Sequence, residues 1–217
     1  MEEFYMVDGP AQGEIVEKKS RFIANVFPVD SEEQALEIVE KTKKQYWDAR
    51  HNCYAYILKG EGATPTARCS DDGEPSQTAG KPMLDVLMGE GLMDVCAVVT
   101  RYFGGTLLGT GGLVRAYSGA VKEGLANAQI LEKKQGVRME VITDYNGVGK
   151  IQYLAAQEGI DTLDSQYTDK VVFIFLVPGE QEESFKAKLV ESTNGRAVIR
   201  TDGEVYYGKC GGELILL

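Results

Sequence analysis

The sequence predicts an α+β protein of two domains, and three observations support this prediction. At 217 residues the chain is longer than one small domain needs. Strand and helix patterns fill its first part, stop at the charged run EKKQG (132–136), and then start again. The later pattern has the order βαββαβ, which is typical of a ferredoxin-like domain. We therefore predict domains at residues 1–134 and 135–217, with a linker at 132–136.

Apolar periodicity predicts the elements of the first half. Alternation over residues 13–29 indicates one long strand or two, and Ser31 is positioned to cap the helix that follows. An aromatic-rich strand is expected at 52–58, and the strand at 94–103 is apolar almost throughout, as in a buried strand. The predicted helices lie at 31–47, 83–92 and 113–128.

The second half contains clear stop signals. A strand and a helix closed by Gly159 come first, followed by two strands that turn near 168–169. A further helix ends at Asn194, and either 196–200 or 204–208 supplies the last strand.

Composition and charge limit the function classes. The chain is 43% apolar and 26% charged, as in soluble globular proteins, and no stretch reaches the roughly 18 apolar residues of a membrane span. The acidic start MEEFYMVDGP differs from a secretory signal, so we expect a cytoplasmic protein without membrane contact. The net charge of −10 argues against nucleic-acid binding by bulk charge, although a local basic site is compatible with it.

The four cysteines and the single histidine form no metal-binding pattern. No CxxC spacing occurs, which disfavours a zinc site, and we expect reduced thiols in the core or at the surface. We therefore expect no metal and no cofactor.

The segment TRYFGGTLLGTGGLVRAY (100–117) is the first candidate for a binding site. Its glycines permit unusual backbone angles, and the free N–H groups where its helix begins favour an anion. Arg101 and Arg115 flank the run and can bind phosphate. Neither GxxxxGK[ST] nor GxGxxG is present, so no nucleotide fingerprint is met, and a tightly packed turn is the alternative. The glycines are Gly104, Gly105, Gly109, Gly111 and Gly112.

The segment SDDGEPSQTAGKPM (70–83) is predicted to be a long polar loop. Its carboxylates could bind a hard cation or act in acid–base chemistry, although EF-hand spacing is absent. Ser76 and Thr78 are candidate nucleophiles without a GxSxG motif. A solvated loop fixed by Pro75 and Pro82 is the alternative. The residues that we single out are Ser70, Asp71, Asp72, Glu74, Ser76 and Thr78.

Basic residues lie in or beside each of these unusual segments. If the fold brings the segments together, a positive cleft forms on a negative protein and steers an anionic ligand to it. His51 precedes a predicted strand, and its alternative role is a structural hydrogen bond. Besides the glycines, the candidates for phosphate or nucleic-acid binding are Arg21, Arg50, His51, Lys81, Arg101 and Arg115.

Four segments resemble the hallmark segments of the IMPACT/YigZ family, and they occur in the family's order. They are KSRF (19–22), ARHNCYAY (49–56), SDDGEPSQTAGKPM (70–83) and VTRYFGGTLLGTGGLVRAY (99–117). All four lie in the first predicted domain. The second half resembles the additional C-terminal domain of bacterial members, so the resemblance spans nearly the whole chain.

The resemblance implies a fold and a field of function. The family's first domain is similar to domain IV of elongation factor G and to a small-subunit ribosomal protein domain, and its second is similar to the ferredoxin-like domains of that factor. Eukaryotic members act in translational control by competing for an activator of a starvation-responsive kinase. They do so largely through an added N-terminal domain without a counterpart in this sequence, so the kinase role is not carried over. For bacterial members the usual inference is contact with RNA or the ribosome.

We therefore expect a cytosolic protein that binds RNA or the ribosome, or a protein partner in translational control, through an anion-binding cleft in its first domain. Tyr102, Phe103 and Tyr117 could stack bases. The alternative is an enzyme that acts on a phosphorylated metabolite or nucleotide with the carboxylates of residues 71–74. A third hypothesis is a protein-interaction module that uses the ferredoxin-like half. The sequence does not indicate the oligomeric state.

Overall fold

A computed structural model describes residues 4–60, 64–210 and 213–217 of the chain. The chain divides into two compact units, and this division falls between Glu132 and Lys133. Each unit has its own apolar core. Within the described ranges, no helix has the length and apolar character needed to cross a membrane.

The first unit alternates strands and helices. Its elements are β1 (Phe4–Val7), β2 (Ala11–Glu17), β3 (Ser20–Pro28), α1 (Glu32–Gln45), β4 (His51–Leu58), β5 (Thr66–Ser70), α2 (Gly80–Gly89), β6 (Val95–Tyr102) and α3 (Thr110–Ala126). The predicted cap of α1 is confirmed, because Ser31 Oγ accepts a hydrogen bond from the Gln34 N–H at 3.3 Å.

Five of these strands form an antiparallel sheet in the order β2-β3-β6-β4-β5. Alternate residues of a strand point to opposite faces, so each strand of the centre contributes to two cores. The face that contains Phe22, Ala97 and Val99 packs against α2 and α3. The opposite face, with Cys96 and Val98, packs against α1. The sheet therefore has helices on both faces, and the cleft described below lies at the ends of its strands.

The polar segment 70–83 is not one long loop, and this part of the prediction is wrong. Ser70 ends β5, a strand that the sequence reading missed, and α2 begins at Gly80, three residues before the predicted helix. The early start has a packing cause: a Cβ at Gly80 would lie 2.8 Å from the backbone of Ser70. Only glycine therefore lets the helix begin against the strand. The true loop is residues 71–79.

The second unit continues from β7 (Ile130–Thr143), which carries the chain across the division. Its other elements are α4 (Val148–Glu158), β8 (Asp161–Tyr167), β9 (Val171–Pro178), a 3-10 turn (Gly179–Gln181), α5 (Glu182–Thr193), β10 (Val198–Cys210) and β11 (Glu213–Leu216). The strands form a sheet in the order β11-β10-β7-β9-β8. Side chains of β7 and β9 that alternate inward, such as Met139 and Phe175, pack with Ile151 of α4 and Phe185 of α5.

Most of the predicted stop signals in this unit are confirmed. Gly159 and Asn194 adopt left-handed conformations at the ends of α4 and α5, and β8 and β9 turn at residues 168–170. Both candidates for the last strand lie within the single strand β10, and β11 was not predicted.

The predicted linker at 132–136 is wrong, because these residues lie inside β7. Gly136 pairs with Pro178 of β9, and a Cβ at Gly136 would lie 2.8 Å from the Val177 oxygen. The charged side chains remain half-buried in the strand, and Lys133 Nζ lies 4.9 Å from the ring centroid of Tyr206. A charged stretch therefore does not exclude a strand when its side chains find such partners.

Candidate functional site

A cleft of about 410 Å³ lies at the strand ends of the first unit. Its volume falls in the range of small-ligand sites. His51 at the start of β4 pairs with Arg101 near the end of β6, so the two side chains lie side by side on the same face of the sheet. The residues that line the cleft are Asp48, Ala49, Arg50, His51, Glu74, Arg101, Tyr102, Phe103 and Leu107.

The fold brings together only part of the predicted basic set. Arg50, His51 and Arg101 line the cleft, together with Glu74 of the polar loop. The remaining basic candidates are not among the lining residues. Arg21 forms a two-pronged pair with Glu14 at 2.6 and 2.7 Å, Lys81 pairs with Asp85, and Arg115 reaches back toward Gly111.

Arg50 is the exposed cation of the cleft. Among the described residues it has no ion pair or hydrogen-bond partner, and the same holds for Arg115. An unpaired guanidinium keeps its donors available for a phosphate or carboxylate.

Arg101 and Glu74 form a buried ion pair at the base of the cleft. Arg101 Nη1 donates to Glu74 Oε1 at 2.6 Å, and the two side chains are 8% and 3% exposed. The same carboxylate oxygen accepts a hydrogen bond from the Tyr117 hydroxyl at 2.8 Å. Burial raises the pKa of the Tyr117 hydroxyl, and Cys53 and Glu74 act in the same direction. The prediction that Tyr117 stacks bases is wrong, because its side chain is fully buried.

The guanidinium of Arg101 is only partly satisfied. Its Nε is buried and has no hydrogen-bond acceptor within the described part of the chain. Aromatic rings lie near it instead, with the Arg101 Cζ 5.4 Å from the Phe22 centroid and 5.6 Å from that of Phe103. Phe103 is 55% exposed, so it borders both the cation and the solvent.

Asp71 organises the polar loop from within. Its carboxylate accepts hydrogen bonds from the backbone N–H groups of Gln77, Ala79 and Gly80 at 2.7, 3.0 and 2.9 Å. The last two belong to the start of α2, where a carboxylate is favourable because the helix leaves N–H groups unpaired. The Asp71 carbonyl oxygen also accepts from the Cys53 thiol at 3.0 Å. Burial raises the pKa of that thiol.

Asp72 fixes the loop to the neighbouring strand and to His51. Its carboxylate accepts from the Asn52 N–H at 2.7 Å and from Lys43 Nζ at 3.0 Å. The Asp72 carbonyl oxygen lies 2.9 Å from His51 Nδ1. Ser70 Oγ accepts from the Asp72 N–H at 3.2 Å.

The two candidate nucleophiles have different surroundings. Thr78 is buried and donates its hydroxyl to the Pro75 oxygen at 2.6 Å, which is a turn-stabilising role. Ser76 is exposed and is not among the residues that line the cleft. Within the described residues, no group of three or more His, Cys, Asp and Glu is arranged to hold a metal ion.

The five glycines of the segment 100–117 fall into three groups. A Cβ at Gly104 would lie 2.0 Å from the backbone of Lys19, and one at Gly112 would lie 3.0 Å from Leu108, so these two serve packing. Gly105 and Gly109 have φ of +85° and +73°, where glycine is favoured. A Cβ at Gly111 would meet only the far end of the Arg115 side chain, at 3.6 Å.

Gly109 leaves the start of α3 without a side-chain cap. The first N–H groups of a helix have no partner inside it, and the anion site that the sequence places at this end of α3 stays a prediction.

Several residues that build the cleft escaped the sequence reading. Asp48 accepts a hydrogen bond from the Tyr102 hydroxyl at 2.7 Å, and Leu107 is 83% exposed within the glycine segment. A large apolar residue between glycines is a signal that could have been used for Leu107. Asp48 carries no such local signal, because its partner lies 54 positions away.

Comparisons with known proteins agree with the two-unit architecture. The family model described as the Impact N-terminal domain matches residues 18–125, and the domain of unknown function DUF1949 matches residues 141–196. The chain is also similar to the crystal structure of a hypothetical protein, with a TM-score of 0.59 and 36% identity, covering 92% of this chain and 97% of that one.

Named bacterial relatives match most of the chain. The IMPACT family member YvyE of Bacillus subtilis is 42% identical over 204 residues, which cover 94% of this chain and 93% of the relative. The IMPACT family member YigZ of Escherichia coli is 38% identical over 178 residues, which cover 82% of this chain and 87% of the relative. With both family models matched and near-complete coverage of such relatives, the chain belongs to the IMPACT family.

Proposed function

We propose that the chain is a cytosolic protein that binds RNA or the ribosome and modulates translation, and that the cleft holds phosphate. Membership of the IMPACT family supports the translational part, because the resemblance implies that role for eukaryotic members. The proposal for the cleft has a structural basis. Arg50, which is exposed and has no partner among the described residues, and the half-buried His51 line the same cleft as the exposed side chains of Phe103 and Leu107. A cation beside an exposed aromatic ring suits a nucleotide, because the cation can contact its phosphate and the ring can stack on its base.

The proposed roles of the predicted residues differ with their exposure. Arg50 contacts phosphate in the cleft. Arg115 and the start of α3 at Gly109–Gly112 are not among the lining residues, and they supply a second contact for phosphate through an exposed guanidinium and backbone N–H groups. Arg101 supports the base of the cleft, since its guanidinium is buried against Glu74. Arg21 and Lys81 are held in exposed ion pairs, which are weak, and can exchange their partners for phosphate.

We propose finer fold assignments on the same basis. The second unit has the element order βαββαβ and the strand order β10-β7-β9-β8, which supports a ferredoxin-like domain. Similarity of the first unit to domain IV of elongation factor G is implied by the family resemblance. Such a likeness would fit a ribosomal partner, although a fold alone does not determine function.

Sucrose-gradient co-sedimentation with ribosomes tests the proposal. We expect salt-sensitive association of the wild-type chain and its loss in Arg50→Ala/Arg115→Ala. The matched control is Lys170→Ala/Arg196→Ala, which removes the same charge from exposed positions of the second unit. Equal loss in both double variants would show a bulk charge effect, and absence of wild-type association would contradict ribosome binding.

The enzyme hypothesis retains one specific observation in its favour. The carboxylates of Asp71, Asp72 and Glu74 already accept two or three hydrogen bonds or ion pairs each, which leaves little capacity for acid–base or metal chemistry. His51, however, lines the cleft beside Arg50 and could act as a base on a phosphorylated metabolite. Turnover of a metabolite pool by wild type but not by His51→Asn would favour the enzyme, as would a metal-dependent shift in melting temperature.

A further inference from the structure

His51 is the single histidine of the chain, and its surroundings fix which ring nitrogen carries the proton. Nδ1 lies 2.9 Å from the Asp72 carbonyl oxygen. A carbonyl oxygen has no hydrogen to donate, so Nδ1 must be the donor. In the neutral imidazole, Nε2 is then an acceptor with a free lone pair.

The loop that supplies the Asp72 carbonyl is itself held by other contacts. Asp72 is tied to β4 by the Asn52 N–H and to α1 by Lys43. Gly73 turns the chain under His51 with a φ of +85°, and a Cβ there would lie 3.4 Å from Nδ1. Two contacts of the Asp72 carboxylate and the turn at Gly73 therefore place the Asp72 carbonyl opposite Nδ1 before any ligand arrives.

His51 Nε2 is the acceptor that the cleft leaves open. It has no hydrogen-bond partner among the described residues. Arg50 and Arg101 can only donate, and the cleft carboxylates are already engaged, Asp48 by Tyr102 and Glu74 by Arg101. A ligand with an anionic group for Arg50 and a hydrogen-bond donor for His51 therefore complements the cleft.

We propose that His51 Nε2 accepts a hydrogen bond from a ribose 2′-hydroxyl and makes the cleft selective for single-stranded RNA over DNA. In RNA the 2′-hydroxyl is adjacent to the 3′-phosphate, and His51 and Arg50, which are consecutive in the chain, both line the cleft. The exposed ring of Phe103 is available for the base. The 2′-hydroxyl is the group by which proteins distinguish the two nucleic acids. This inference rests on the proposed phosphate binding and adds the selectivity of the site.

The test compares three single-stranded oligonucleotides of the same sequence and about ten nucleotides. They are RNA, DNA, and 2′-O-methyl RNA, which keeps the RNA-like sugar but lacks the hydroxyl donor. Affinity is measured by fluorescence anisotropy for wild type and for His51→Asn. The asparagine amide can still donate to the Asp72 oxygen from near the position of Nδ1, but it places no acceptor where Nε2 lies. Its melting temperature shows whether the loop remains intact.

We expect wild type to bind RNA about 3- to 10-fold more tightly than DNA and 2′-O-methyl RNA, as one net hydrogen bond would allow. In His51→Asn the three affinities converge near the wild-type value for DNA. An ¹⁵N NMR spectrum of wild type, in which one histidine gives unambiguous ring signals, should show hydrogen on Nδ1 and a response of Nε2 to RNA.

Other outcomes overturn the inference in distinguishable ways. Equal affinity for all three oligonucleotides, each weakened by Arg50→Ala, would leave phosphate binding in place and remove the role of His51. Hydrogen on Nε2 in the wild-type spectrum would also overturn it. If no oligonucleotide binds, the inference fails, and ribosome co-sedimentation then decides separately whether the proposed function stands.

Discussion

The buried pair of Arg101 and Glu74 shows how far a residue's role depends on the strand that carries it. Arg101 follows Val99 at the alternate position of β6, on the face that packs against α2 and α3. This alternation is visible in the sequence and already indicates an inward side chain. Its partner could not be predicted, because Glu74 lies 27 positions away in the loop. The sequence therefore identifies Arg101 as a candidate phosphate ligand, whereas the structure buries its side chain in an ion pair.

Breaking this pair should destabilise the protein far more than breaking an exposed one. Arg101→Met leaves Glu74 buried without its cation, and we expect the free energy of unfolding to fall by about 3–5 kcal/mol. Arg21→Met is the matched control, since its pair with Glu14 is 52% and 40% exposed, and should change stability by less than about 1 kcal/mol. Urea unfolding measures both variants. Equal losses would contradict the buried pair.

Thiol reactivity should follow burial. Burial raises the pKa of Cys96 to about 12 and also raises the pKa of Cys53. Neither thiol therefore forms much thiolate in the folded protein at neutral or mildly alkaline pH. Cys69 is exposed, and its pKa is raised by partial burial and by Asp71.

In a Cys210→Ser background, iodoacetamide should therefore label Cys69 first, at a rate that increases with pH from 7 to 9. Cys53 and Cys96 should react only after unfolding. Because the unfolded chain ionises these two thiols at lower pH than the folded one, their contribution to stability is present below about pH 8.5 and declines above it. Mass spectrometry of labelled peptides measures the order, and early labelling of Cys53 would contradict the structure.

At the scale of elements, the glycine segment illustrates both the strength and the limit of the sequence. The pattern correctly indicates that residues 104–112 need glycine where a strand passes into a helix. The pattern cannot show whether a glycine is needed for packing or for access of a ligand. At Gly104 the atoms that exclude a side chain belong to Lys19, which lies in the turn between β2 and β3. The same limit explains the missed β5 and the misplaced linker, since long-range pairing decides both.

The two roles of these glycines can be separated by matched alanine substitutions. Gly104→Ala would place a Cβ 2.0 Å from the Lys19 backbone, and backbone atoms cannot move aside cheaply. We expect a loss of stability of several kcal/mol, about 3 or more, or failure to fold.

Gly111→Ala is the control, because its Cβ would meet only the end of the Arg115 side chain and it lies in the first turn of α3. Alanine favours a helix over glycine by about 0.5–1 kcal/mol, so stability should hold or rise. Thermal unfolding compares the two, and RNA affinity of Gly111→Ala shows whether the open space beside Arg115 is used by a ligand. Similar destabilisation at both positions would contradict the packing assigned to Gly104.

For the whole molecule, family, two-part architecture and the elements of each unit could be predicted largely from local patterns and motifs. Which of the candidate side chains the fold brings together could not be predicted, because this depends on contacts between residues far apart in the sequence. The expected positive cleft gathers Arg50, His51 and Arg101 but also Asp48 and Glu74. The two arginines are thus balanced by two carboxylates while the chain carries a net charge of −10. In many nucleic-acid-binding proteins a broad basic surface attracts the ligand. In this chain the placement of individual donors and acceptors in the cleft must do so instead.

This balance predicts an unusually weak dependence of RNA affinity on salt. With about two phosphates contacted, one through Arg50 in the cleft and one through Arg115 in α3, the slope of log K against log salt for single-stranded RNA should be about −1.4. Removing one contact in Arg50→Ala should reduce its magnitude by about 0.7, while Arg196→Ala, an exposed arginine of the second unit, should leave it unchanged. Anisotropy titrations between low and physiological salt measure the slope. A steep slope shared by all three proteins would instead indicate a broad electrostatic surface outside the cleft, which the net charge argues against.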